Sequence, residues 1–176
     1  MIKIEIHDRA VLDALTRLQS RTSDLSPLMH DIGEHLTETT KRRFDTATAP
    51  DGSRWAENSD ITLLGYLKQY KRSFSKKDGS LTQSGAKRLG GKKPLTGRTG
   101  GGASLMATIN YKAGRDFVEI GSPKEYAAMQ QFGGQKSKFP HLWGDIPARP
   151  FLGLSDQDRT NILDTISDYL TDSFRP

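Results

Sequence analysis

"SPLMHDIGEHLTETTKRRFDTATAPDGSRW", residues 26–55, decides how the rest of this chain is read. Ser26 offers a capping hydroxyl, and Pro27 brings the pre-set φ that suits a first helical position. Leu28, Ile32, Leu36 and Phe44 then fall on one side at helical spacing, with Met29 alongside. One amphipathic helix is therefore predicted to run to about Ala47. Pro50, Asp51 and Gly52 form a turn signal that ends it. A helix with one apolar stripe needs a second layer to cover that stripe, so the flanking sequence has to supply one.

Working outward, Ile2, Ile4 and Ile6 alternate with Lys3 and Glu5, the pattern of a half-buried strand. Asp8 is placed to cap a short helix whose face is Val11, Ala14, Leu15 and Leu18. Downstream, Leu105, Ala107, Ile109 and Tyr111 alternate with polar neighbours, a turn is expected at 112–116, and Phe117–Ile120 follows. That pattern predicts a β-hairpin. Residues 125–132 read as a short helix stopped by Gly133 and Gly134. The last helix begins at Ser155, with Asp158 at the reciprocal position of a capping box. Its stripe is Ile162, Ile166, Tyr169, Leu170 and Phe174. The predicted fold class is α+β: a small antiparallel sheet packed with a long central helix and a C-terminal helix, in a single domain over 1–176.

Composition bounds the function. The 176 residues are 34% hydrophobic and 27% charged, which suits a modest core with much polar surface. Nothing approaches the ~18 consecutive apolar residues of a membrane span, so no membrane contact is expected. "MIKIEIHDR" has no cleavable apolar core, so no secretory signal is expected either. Zero cysteines excludes disulfides and thiolate chemistry and fits a reducing compartment.

The net charge of +5 is unevenly placed. Lys68, Lys71, Arg72, Lys76, Lys77, Lys87, Arg88, Lys92, Lys93 and Arg98 face Asp78 alone between residues 65 and 98, a local charge of +9 that leaves the remainder at −4. A short helix is expected around Leu63–Tyr70. The rest, rich in Gly, Ser and Lys, reads as a long basic loop, a mobile insertion at about 65–102. Tyr66, Tyr70 and Phe74 lie among the cations, a composition suited to a nucleic-acid backbone with some base stacking. An acidic protein surface and plain solvent are the other readings of the same strip.

Catalytic patterns do not assemble. His30 and His35 are five apart on a helix, which turns them roughly 140° from each other, whereas a zinc pair needs a four-residue spacing. "AKRLGGKK" (86–93) resembles a phosphate-binding loop but has Ala86 for the first glycine, Lys93 for the hydroxyl, and no apolar strand before it. No cofactor, metal or enzyme activity is expected.

Four ordered motifs together resemble the phage virion morphogenesis family, the tail-completion proteins of contractile-tailed phages and prophages. They are "RFDTATAPDGSRWAE" (43–57), "SLMATINY" (104–111), "VEIGSPKEYAAMQQFGG" (118–134) and "IPARPFLGLSDQD" (146–158), followed by an amphipathic helix. The basic 65–102 region is longer than that pattern needs. Met129-Gln130 stands where many members carry His-Gln. The resemblance implies a non-enzymatic structural protein that completes the tail or joins it to the head at the neck. It would act through contacts with tail or neck proteins, as a homo-oligomeric ring in the virion, after assembly in the host cytoplasm. Binding of nucleic acid by the basic segment is the alternative. Pro147 and Pro150 stiffen the segment that carries Arg149. On this reading Arg149, Phe151 and Leu152, with Tyr126 and Phe132 of the preceding helix, are the expected interface residues, and the ten cations of the strip form a second partner-binding surface. Arg149 would grip a carboxylate or backbone carbonyls, Phe151 and Leu152 would anchor in the body or in a neighbouring subunit, and a plain core-anchoring connection into the last helix is the other reading of this segment.

Overall fold

Helix α2, Ser26–Thr46, is the element against which the hairpin and the C-terminal helix pack. In the computed structural model the described residues are 8–19, 24–97, 104–142 and 144–173. The remaining elements are α1 (Arg9–Gln19), α3 (Asp60–Lys68), α4 (Gln83–Gly90), a 3-10 turn (Met106–Thr108), β1 (Asn110–Ala113), β2 (Val118–Gly121), α5 (Ala127–Phe132) and α6 (Asp156–Ser173). This is the α+β arrangement the sequence predicts. The expected strand at 2–6 and the stripe residue Phe174 lie outside the described residues.

The start of α2 differs by one residue from the expectation. Ser26 is the first helical residue, and its N–H donates to Asp24 Oδ1 at 3.0 Å, so Asp24 supplies the acceptor expected of Ser26. At its other end Ala47 adopts a left-handed conformation (φ 54°), and its N–H returns to Arg43 O. The chain then turns through 49–53. Gly52 takes φ 81°, and Asp51 Oδ1 accepts the Ser53 N–H at 2.9 Å. The turn delivers Trp55 into the core.

β1 and β2 pair antiparallel, Tyr111 opposite Ile120 and Ala113 opposite Val118. The expected strand from 105 to 111 is displaced. Leu105 and Ile109, both buried, are four residues apart and are brought to one side by the 3-10 turn rather than by a pleat. Thr108 Oγ1, which would otherwise be a strand position, closes that turn on Leu105 O at 2.9 Å. The alternation therefore begins only at residue 110.

Two apolar clusters line the length of α2. Leu28, Met29, Ile32 and Leu36 meet Ile162 and Ile166 of α6, with Val11 and Leu15 of α1 and Val118 of the hairpin against them. Phe44 meets Trp55, Leu105, Ile109, Ala127, Phe151 and Leu152. Ile120 packs against both. Phe44 and Trp55 contact edge to face, with centroids 5.2 Å apart. Gly33 lets the hairpin approach closely, because a Cβ there would sit 2.6 Å from Tyr111 Cε2.

Candidate functional site

Within the described part of the basic strip, α3 matches the short helix expected around Leu63–Tyr70, and α4 corrects the reading of the rest as a loop. Ser59 caps α3 by accepting the Thr62 N–H, and Thr82 caps α4 by accepting the Gly85 N–H at 3.0 Å. Thr82 Oγ1 also donates toward Arg72 O at 2.6 Å, and Phe74 pairs with Leu81 as an isolated antiparallel bridge. Residues 75–80 close the loop between the helices. Ser75 N–H donates to Ser80 O, Gly79 takes φ 71°, and Asp78 Oδ1 accepts from Ser80. A Cβ on Gly85 would overlap Ser73 O, so this glycine lets α4 lie directly on the preceding backbone. The segment has few aliphatic residues, but its caps and one glycine contact substitute for a large core of its own.

Folding sorts the cations. Lys68, Lys71, Arg72, Lys76, Lys77 and Lys87 are exposed, and among the described residues none makes an ion pair. Lys68 and Lys87 sit in the last turns of α3 and α4, where the helix dipole favours positive charge. Arg88 lies over the Tyr70 ring at 5.2 Å and Lys92 over the Tyr66 ring at 5.1 Å, while the two rings meet edge to face. Lys93 Nζ donates to Asp45 O at 2.6 Å and ties the strip back to the end of α2. Arg98 lies outside the described residues. The phosphate-loop fragment is taken up by α4, whose backbone N–H groups are spent on the helix.

The "ARPFLG" segment is an internal clasp: of its two readings, the core-anchoring connection and the exposed contact surface, the buried side chains fit the first. Phe151 is 0% exposed and Leu152 5%. Arg149, 7% exposed, donates from Nε to Ala56 O at 2.8 Å and from Nη2 to Glu57 O at 2.7 Å, with a longer contact from Nη1 to Gln130 Oε1 at 3.4 Å. Trp55 Nε1–H donates to Pro150 O at 2.8 Å. The prolines do hold the segment extended, but it presents Arg149 to the 56–57 backbone of the same chain. Of the five expected interface residues, Tyr126 and Phe132 remain at the surface, Phe132 being 66% exposed.

Two groups behind this clasp had weak sequence signals. Gln131, buried on α5 beside exposed Phe132, accepts from Phe151 N and Leu152 N through Oε1 at 2.9 and 3.0 Å and donates to Leu152 O at 3.0 Å. Asp158 was legible only as a cap. It accepts from Ser155 N and Ser155 Oγ, and it also meets Arg43 Nη2 at 2.5 Å. Arg43 donates as well to Phe151 O and Gly153 O. Burial opposes ionisation of Asp158, but bonds from Ser155 and Thr39 and the Arg43 charge outweigh it and hold the carboxyl below its ordinary 3.8. His35 Nε2 stands 3.8 Å from Asp158 Oδ1 and 3.1 Å from Asn161 Nδ2. These polar groups satisfy one another, an arrangement suited to joining α2, α6 and the clasp.

Chemically, the molecule offers surfaces. Among the described residues there is no cluster of His, Asp and Glu able to hold a metal ion, and no helix is long and apolar enough to cross a membrane. Concave features of the described residues include an apolar groove beside α1 and the hairpin, and a cleft of about 850 Å³ with mixed polar and apolar lining between α3 and residues 145–149.

The model of the phage virion morphogenesis family matches residues 6–171 of this chain. The chain is 28% identical to Mu-like prophage FluMu G protein 2 of Haemophilus influenzae over 170 residues, 96% of each chain. It is 42% identical to the putative capsid assembly protein G of Escherichia phage Mu over 62 residues, 35% of this chain and 39% of the relative. No solved structure matches.

Proposed function

The chain belongs to the phage virion morphogenesis family, and from that premise we propose that it is a non-enzymatic structural protein that completes the tail or joins it to the head at the neck. It docks through the exposed cations of the α3–α4 pair onto an acidic surface of a tail or neck protein. The observation that carries this reading is the unpaired basic face itself. Six exposed Lys and Arg side chains, Lys68 and Lys87 in the last turns of capped helices and the other four on the segment that joins them, meet no acid of this chain among the described residues. A concentration of one sign on a folded element raises encounter rates with an opposite surface and fixes register. In a cyclically symmetric tail, copies of this chain form a heterologous ring, with Tyr126 and Phe132 as the apolar contacts still available for it.

The aromatic residues that suggested base stacking favour a protein partner. Tyr66 and Tyr70 each have a cation over the ring and meet each other edge to face. The test is electron microscopy of particles made without the protein, complemented either by the wild type or by Lys68→Glu/Lys71→Glu/Lys76→Glu/Lys77→Glu. Unfinished or unjoined tails without the protein, restored by the wild type and not by the charge reversal, are the expected result. Normal particles without the protein would sink the reading. If the reversal removes duplex-DNA binding while attachment to purified tails persists at two salt concentrations, the strip is a nucleic-acid surface.

A further inference from the structure

We infer that the cleft between α3 and residues 145–149 seats a side-chain carboxylate of an extended acidic segment of a partner protein, gripped by Arg149 and Lys92. The inference rests on the docking role proposed above and names the place where docking becomes specific. The cleft, about 850 Å³, is lined by Thr62 and Tyr66 of α3, Lys92, Tyr126, Gln130 and Arg149. Its size falls in the range of clefts that hold a ligand by a few convergent polar groups.

Arg149 is the reason to place an anion there. A guanidinium carries five N–H donors. Two point at the carbonyls of Ala56 and Glu57, and a third makes only a 3.4 Å contact with Gln130. Nothing negatively charged pairs with it among the described residues, although it is only 7% exposed. A buried cation without a counter-ion is costly, and burial pushes Arg149 below its ordinary value with no neighbouring carboxylate to oppose the shift. Lys92, on the α3 side of the same cleft, is likewise lowered by burial, has no ion pair, and is steadied by the Tyr66 ring. A carboxylate entering the cleft meets one planar fork and one ammonium, the charge-assisted geometry that carboxylates favour.

The two acids on the lining do not satisfy these cations. Asp145 Oδ1 accepts the Lys136 N–H at 2.7 Å, and Glu57 meets Arg149 through its backbone carbonyl while its residue is exposed. Lys68 and Lys71 flank the lining residues Gln69 and Tyr70 along the chain, so an acidic segment attracted to the strip has its register set in the cleft. A phosphate of nucleic acid shares the negative charge. Tyr66 and Tyr70 already carry cations over their rings, which favours a peptide carboxylate over a stacked nucleotide.

The experiment is an NMR titration of the full chain with an acetylated, amidated Glu-Gly-Glu-Gly-Glu peptide and with a single-stranded oligonucleotide of equal charge. The peptide is expected to shift the Arg149 Nε–H and the Lys92 signals. Lys92→Gln, at a half-exposed site that tolerates the change, should weaken its binding about fivefold. Arg149→Lys should weaken it as well, with thermal melting to show that the fold is kept, while Lys112→Gln on β1, outside both the strip and the cleft, leaves it within about twofold. Absence of peptide binding, binding equal in wild type and Lys92→Gln, or tighter binding of the oligonucleotide at the same signals would each overturn the inference. Assembly that requires the protein but proceeds with Lys92→Gln and Arg149→Lys together refutes the cleft and leaves the assembly role standing. Assembly without the protein refutes that role itself.

Discussion

Replacing Arg43 with methionine keeps most of the side-chain stem and removes the charge that joins α2, α6 and the clasp. Three hydrogen bonds go with it: to Asp158 Oδ2 at 2.5 Å, Gly153 O at 2.8 Å and Phe151 O at 2.9 Å. The Asp158 carboxylate, 2% exposed, is left buried without its counter-ion. Breaking a buried pair from one side costs about 3–5 kcal/mol, because the stranded charge loses its compensation. A domain of this size holds roughly 5–15 kcal/mol in total, so the variant should lose a large part of its stability while still folding in the cold. Urea unfolding followed by tryptophan fluorescence and far-UV circular dichroism gives the difference directly. Adding Asp158→Asn removes the stranded charge but keeps an oxygen for Ser155, so the double variant should be less destabilised than the sum of the two single ones. A loss below about 1 kcal/mol for Arg43→Met, or strict additivity in the double variant, would refute the claim that this pair joins the elements.

The same carboxyl sets an acid limb. Its folded value lies below 3.8, so the stability it contributes is complete above the unfolded value and is lost as pH falls through the folded one. Asp158→Asn should flatten that part of the curve, measured as urea midpoints down a pH series. Gly33→Ala should destabilise by about 1–3 kcal/mol despite the better helix propensity of alanine, because the added carbon overlaps the Tyr111 ring. Pairing it with Tyr111→Val should recover much of the loss in thermal melts. Gln131→Leu should cost about 2–4 kcal/mol, since two buried N–H groups and a carbonyl of the clasp lose their partner. Unchanged hydrogen exchange at Phe151 and Leu152 in that variant would contradict the clasp.

Elements whose signal is local were legible in order along the chain. The α2 stripe, the 50–52 turn, the glycine stop after α5 and the Ser155–Asp158 cap all depend on residues a few positions apart, and each appears where the spacing puts it. The Leu105–Tyr111 alternation misled because residues 105 and 109 satisfy both a pleat and a helical turn, and the choice is made by what Ile109 and Thr108 meet across the core. The basic strip misled for the opposite reason. Past α3, where a short helix is expected, its apolar content is too low to announce another, and α4 is held by the Thr82 cap and by Gly85 resting on backbone a dozen residues away. The count of cations in the strip was sequence information. Their division into six exposed charges, two ring-stacked ones and one tied to α2 was decided by folding. Arg149 shows the limit most plainly. Flanking prolines determine that it sits in an extended segment, but whether its fork faces a partner or carbonyls 92 and 93 residues earlier depends on chain that only tertiary packing brings alongside. Local stiffness constrains a side chain's direction relative to its own backbone, and the identity of what lies in that direction is a long-range property.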